Sequence, residues 1–173
     1  MTTQTIERTT LSNLVSNEEY CRKVLPFIKA DYFDVKEERV VFEEITNFVE
    51  KYKRIPTKIS LEIEVESRKD LTEDQHKKIV EIIQTLDSTD VDMEWLVDTT
   101  EKFCKDKAIY NAIVDGISII DGKDKKRSAD AIPSILTDAL AVCFDNAVGH
   151  DYFDDAEERF EFYHKVEERI PFD

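Results

Sequence analysis

The segment Gly116-Ile-Ser-Ile-Ile-Asp-Gly122-Lys123-Asp124 has the outline of a phosphate-binding loop. In such a loop, glycines let backbone N–H groups surround a phosphate while a lysine reaches it. Here the spacer is five residues rather than four, and Asp124 stands where a Ser or Thr would hold magnesium. The segment also follows a helical pattern rather than a strand, so a hairpin turn is the better reading. His76, His150 and His164 share no metal-ligand spacing with one another or with a cysteine. Asp151 and Asp154 beside His150 could gather a cation weakly, but a capping and turn cluster accounts for them. Glu43-Glu44 and Asp154-Asp155 are adjacent in sequence, so neither pair faces itself on a helix as an acid/base dyad would. No Ser, Cys or Lys has an activating neighbour. The expectation is a chain without catalytic or metal-binding residues. One basic cluster stands out, Lys123, Lys125, Lys126 and Arg127, which reads either as a solvated turn or as a docking point for DNA or an acidic partner.

Composition narrows the field further. The 173 residues carry 24 Lys and Arg against 39 Asp and Glu, a net charge of −15. This argues against a nucleic-acid-binding surface over the whole chain, because phosphate contacts need clustered cations. With 41% apolar residues the chain is too hydrophobic for a disordered acidic tail. Three glycines and four prolines leave little material for the tight turns of an all-β sandwich. Cys21, Cys104 and Cys143 are far apart and odd in number, as expected of small buried hydrophobes in a reducing compartment. No signal core opens the sequence, and no apolar run approaches the ~18 residues a membrane span needs. Residues 149–173 hold 9 acidic and 3 basic side chains, the most acidic stretch, and Gly149 is the best candidate boundary.

Helical periodicity positions everything else. Ile6, Leu11, Leu14 and Val15 predict a first helix, and Asn17 ahead of Glu18 and Glu19 caps a second. Val40, Val41, Ile45, Phe48, Val49 and Tyr52 share one face of a third, which Ile55-Pro56 ends. In 59–65, Ile59, Leu61, Ile63 and Val65 alternate as in a strand, but no partner strand is visible, so a short helix is expected. Thr72-x-x-Gln75 is a capping box before Ile79, Ile82, Ile83 and Leu86. A helix over about 93–121 follows, with Leu96, Phe103, Tyr110 and Ile117 recurring every seven residues and Ile113 and Ile120 extending the stripe. Asp130 is placed to cap a second long helix with Pro133 in its first turn and Ile132, Ile135, Leu136, Ala139, Leu140 and Cys143 on one face. The short join at 122–129 predicts an antiparallel hairpin. Asp154 then caps a final amphipathic helix bearing Phe160, Tyr163 and Val166, which Pro171 stops. The apolar faces of the hairpin exceed what a two-helix contact uses, so they serve either an intramolecular core or self-association.

Several of these segments occur together in a known order. Leu11-Ser12-Asn13-Leu14, Phe27 to Asp31-Tyr32-Phe33, Trp95-Leu96-Val97, and Ala131-Ile132-Pro133 leading to Ala139-Leu140 are followed by Phe144-Asp145 and Val148-Gly149-His150-Asp151-Tyr152. Asp154-Asp155, Arg159-Phe160, Tyr163 and Ile170-Pro171-Phe172 close the series. In this the chain resembles the N-terminal domain of T4-like phage replicative DNA helicases, hexameric helicases of the DnaB class. The resemblance implies an all-α fold: a small globular helical head, a protruding antiparallel hairpin and a C-terminal linker helix. It divides the chain into a collar domain over 1–149, with its hairpin at about 93–147, and a linker over 150–173.

The resemblance further implies that the hairpins pair, through Phe103, Tyr110, Ile113, Ile117, Ile132, Leu136 and Leu140, into a dimer or hexameric collar. DNA would pass through that collar with few direct contacts, and primase and the helicase loader would bind it. Phe160, Tyr163 and Val166 would carry the linker contact. A RecA-like motor using ATP and Mg would begin shortly after Asp173, so this stretch would need no cofactor and would not itself be an enzyme. The location implied is the cytoplasm of an infected bacterium. A different class of function, a stand-alone acidic phage protein that mimics DNA or inhibits a host enzyme, would instead make the −15 charge its working surface.

Overall fold

The computed structural model describes residues 3–88 and 91–144, and four of its helices start on a capping side chain. The Asn17 side chain accepts from the Tyr20 N–H at 3.0 Å and opens α2 (Glu18–Val24), directly after α1 (Thr3–Ser16). Reciprocal bonds between Thr72 and Gln75 form the expected box at the head of α5 (Glu73–Gln84). Asp92 caps the long α6 (Met93–Ile120) through the Trp95 N–H at 2.8 Å. Each such cap satisfies a donor that would otherwise be orphaned and is worth about 1 kcal/mol.

Between these lie α3 (Lys36–Tyr52) and α4 (Lys58–Ser67). The third helix stops at Tyr52, before the Ile55-Pro56 signal, because Lys53 turns into the left-handed region at φ 56° and its N–H closes on the Val49 carbonyl. The alternating segment is helical: Thr57 and Ser60 cap α4, and Leu61 and Val65, four apart, are the positions it buries. Ile59 and Ile63 face away from the core, and this second apolar side is what mimicked a strand pattern. No strand occurs among the described residues. The fold is all-α.

The head packs α1 to α5 around Leu11, Leu14, Tyr20, Phe33, Ile45, Leu61, Ile79 and Ile83, all fully buried. The first half of α6 completes it with Leu96, Phe103 and Cys104. Inside, the Thr100 hydroxyl donates to the Leu96 carbonyl at 2.8 Å, so the Tyr20 hydroxyl, 2.6 Å away, is the donor to Thr100. Burial pushes the Cys21 thiol to about 11 and the Cys104 thiol to about 12, which keeps both protonated and unreactive at neutral pH. Cys143 departs from the sequence expectation: it is exposed, because α7 (Ile132–Leu140) ends three residues before it. That helix is also shorter than the periodicity suggests and is not capped by Asp130, which sits in a 3-10 turn over Ala129–Ala131. The predicted linker helix, with Phe160, Tyr163 and Val166, and the boundary at Gly149 lie outside the described residues.

Candidate assembly interface

α6 changes partners along its length. At its base it is tied to the head: Lys107 Nζ lies 3.3 Å from the buried Glu7 carboxylate of α1 and also pairs with Asp34. Asn111 Nδ2 donates to the Asp31 carbonyl at 3.2 Å. Beyond Asn111 the partner is α7. A Cβ placed on Gly116 would lie 3.6 Å from Cγ2 of Ile132, near the start of α7. At the other end, the Glu101 carboxylate is held below its ordinary range chiefly by Lys105, and the Cys143 thiol and the Phe144 N–H also donate to it. Phe144 also stacks on Phe27 at 4.9 Å. Residues 132 and 144 thus lie beside 116 and 101, so α7 runs antiparallel to α6.

Small residues make that approach possible. Ala108, Ala112 and Gly116, four apart, are buried, and Ala139 of α7 is buried with them. Ile132 and Leu136 of α7 are half-buried. The opposite face of α6 carries Tyr110, Ile113, Val114, Ile117 and Ile120, from 47% exposed at Val114 to 72% at Ile120. Leu140 of α7 is likewise exposed. Full burial of a large aliphatic side chain is worth about 1.5–3 kcal/mol, and a contiguous row left in water is the signature of an interaction surface.

Phe103 does not belong to this surface. It is buried in the head, 6.3 Å from the Phe33 ring, because one heptad before Tyr110 the same stripe of α6 still faces the head. Val114 is the exposed member missed by the heptad reading. The small-residue series Ala108, Ala112, Gly116 is the signal that would have separated the inward from the outward side.

The basic loop at the tip is partly consumed in building itself. Gly122, at φ 69°, ends α6: its N–H closes on the Ile119 carbonyl, and the Lys123 N–H closes on that of Ser118. The Asp124 N–H also donates to Ser118, and Asp124 in turn accepts from the N–H groups of Lys126 and Arg127. The amides a phosphate loop would aim at its ligand are therefore occupied. Arg127 bridges Asp115 at 2.7 Å and Asp124 at 2.6 Å, and it holds the Asp124 carboxyl below its ordinary range. Lys123 pairs with Asp121 at 3.0 Å. Lys125 and Lys126 remain exposed without an ion pair among the described residues. No group of His, Cys, Asp and Glu among those residues could hold a metal ion.

A profile of the DnaB-like helicase N-terminal domain family matches residues 2–95, more than half of the sequence. The chain belongs to this family. A DnaB-like replicative helicase of Enterobacteria phage T4 is 32% identical over 170 residues, covering 94% of the chain and 36% of the relative. This DnaB-like domain thus spans about a third of the length of that curated relative. The profile stops at the start of α6, whereas the phage relative's alignment takes in most of the α6–α7 pair. No helix among the described residues of the domain is long and apolar enough to cross a membrane.

Gly116 offers a test of the α6–α7 packing. Its 3.6 Å clearance is ordinary van der Waals contact, and glycine in a helix interior costs about 1 kcal/mol relative to alanine. Gly116→Ala should therefore raise stability by about 0.5–1 kcal/mol in urea titration. A loss instead would mean α7 sits closer to α6 than this geometry allows.

Proposed function

We propose that this domain is the assembly and recruitment part of a phage replicative DNA helicase. Copies pair through the outer face of α6 and α7, using Tyr110, Ile113, Val114, Ile117 and Leu140, and the pairs build the collar of a hexameric ring. DNA passes through that collar with few direct contacts, and primase and the helicase loader dock on it. Unwinding belongs to a motor domain that uses ATP and Mg. The observation that carries this reading is the row of large apolar side chains on α6 that stand 47% to 72% exposed in the single chain. Family membership and the phage relative support it. A DNA-mimicking role is less well supported, because several carboxylates are spent internally: Glu38 on Arg8, and Glu43, Glu44 and Asp70 on Arg68.

Sedimentation of the full 173-residue chain tests the pairing. The wild type should associate, and Tyr110→Asp with Ile113→Asp should break the pairs and lower the sedimenting mass, since burying unpaired carboxylates at the contact costs several kcal/mol. Both positions are solvent-facing in the single chain, so the variant's circular dichroism should be unchanged. A wild type that stays monomeric at high concentration, or a variant that associates as before, would reject the reading.

A further inference from the structure

A second unpartnered apolar strip lies on the head, away from the α6 surface. While Leu61 and Val65 hold α4 to the core, Ile59 and Ile63, one turn apart, leave 69% and 61% of their surface in water. At about 100° per residue, Glu62 and Glu66 border the strip on one side, and Ser60 and Ser67 border it on the other. Neither glutamate takes part in an ion pair among the described residues.

What covers this strip is constrained by its charge. Two α4 faces brought together would set carboxylates against carboxylates, which disfavours a self-complementary contact. The matching element is the α6–α7 tip: Ile120, the most exposed large apolar side chain among the described residues, followed by Lys125 and Lys126, which have no ion pair among those residues. Within one chain, Ile120 stands nine residues, about 14 Å, past Asn111, where α6 is last hydrogen-bonded to the head. The tip that meets α4 must therefore come from another copy.

We propose that α4 receives the α6–α7 tip of a second copy, with Ile120 against Ile59 and Ile63 and with Lys125 and Lys126 against Glu62 and Glu66. The contact is heterologous, joining two different patches, whereas pairing through the outer face of α6 is isologous. The two together link pairs into a larger assembly, whereas pairing through the outer face of α6 alone closes at a dimer. The proposal also gives the tip lysines an acidic partner rather than a phosphate backbone.

Charge reversal tests it on the full chain at low salt. The wild type should sediment as a species at least twice the mass of a dimer. Glu62→Lys with Glu66→Lys should reduce it to a dimer, as should Lys125→Glu with Lys126→Glu. Combining all four reversals should restore the larger species, which a merely structural effect of either pair would not do. The idea is overturned if the α4 reversals leave the mass unchanged, if the four-fold variant stays dimeric, or if the wild type never exceeds a dimer. It is equally overturned if the tip reversals instead abolish retention of a single-stranded oligonucleotide while the mass stays constant. Pairing is read separately in the Glu62→Lys with Glu66→Lys background, where only the α6 face still joins copies: adding Tyr110→Asp with Ile113→Asp should release monomers there, and a dimer that persists would strike the pairing reading alone.

Discussion

Phe33→Ala should cost about 3–5 kcal/mol, a large share of the 5–15 kcal/mol available to a domain of this kind. The ring is fully buried, lies 5.1 Å from Phe42 of α3 and meets Phe103 of α6 edge-on at 6.3 Å. It is the side chain that joins the head's third helix to the base of α6. Deleting it opens a cavity between elements held by separate backbone segments, which cannot collapse onto each other easily. In a chain of this size the melting temperature should fall by roughly 10 °C or more. Ile117→Ala makes the control: it removes comparable apolar surface from an exposed site and should shift the monomer by less than about 0.5 kcal/mol. Equal losses in the two variants, measured by urea titration at low concentration, would show that Phe33 does not join these helices.

The contrast between Phe33 and Ile117 marks where the sequence is readable. Local chemistry is legible in part: Asn17 and Thr72 with Gln75 make the capping bonds that their sequence positions predict, whereas the caps from Thr57 with Ser60 and from Asp92 enter only with the structure, and Asp130 does not cap α7. Gly122 ends α6 for an equally local reason, the positive φ that its lack of a Cβ permits. Which face of α6 meets what is not local. A strict seven-residue repeat drifts about 20° per heptad on a straight helix, so Phe103 and Ile117 do not share one direction. More decisively, the last hydrogen bond from α6 to the head is at Asn111, and the side that stays buried past it continues the line of Ala108 through Ala112 and Gly116, toward α7. Four cations at the tip look alike in sequence. Only the fold puts Asp115 within 2.7 Å of Arg127 and leaves Lys125 and Lys126 without an ion pair among the described residues. The exposure of Cys143 likewise depends on where α7 stops, which its apolar periodicity overstates.

Removing the charge that fastens α6 to the head should have an effect as large as removing a core ring. Glu7 is fully buried on α1, and Lys107, mostly buried itself, supplies the cation beside it at 3.3 Å. Burial pushes the Glu7 carboxyl above its ordinary value of 4.5, and the hydrogen bond and charge of Lys107 are the main influences opposing that rise. Asp34 adds a second carboxylate nearby, which raises it further. Lys107→Met keeps the apolar stem but strands the buried Glu7 carboxylate, and breaking a buried pair from one side costs about 3–5 kcal/mol. The pH dependence has a definite sign. A carboxyl whose folded value is raised binds its proton more tightly folded than unfolded, so stability falls as pH climbs from the unfolded value through the folded one. Without Lys107 the folded value rises further. The deficit of Lys107→Met should therefore be greatest at neutral pH and shrink as pH falls toward 4.5, where a protonated Glu7 needs no counter-charge. Adding Glu7→Gln should recover much of the loss at neutral pH, because a neutral amide of the same shape removes the stranded charge. Thermal melts of the wild type and the two variants across that pH range read both effects, and a deficit that stays constant with pH would show that Lys107 acts through packing rather than through Glu7.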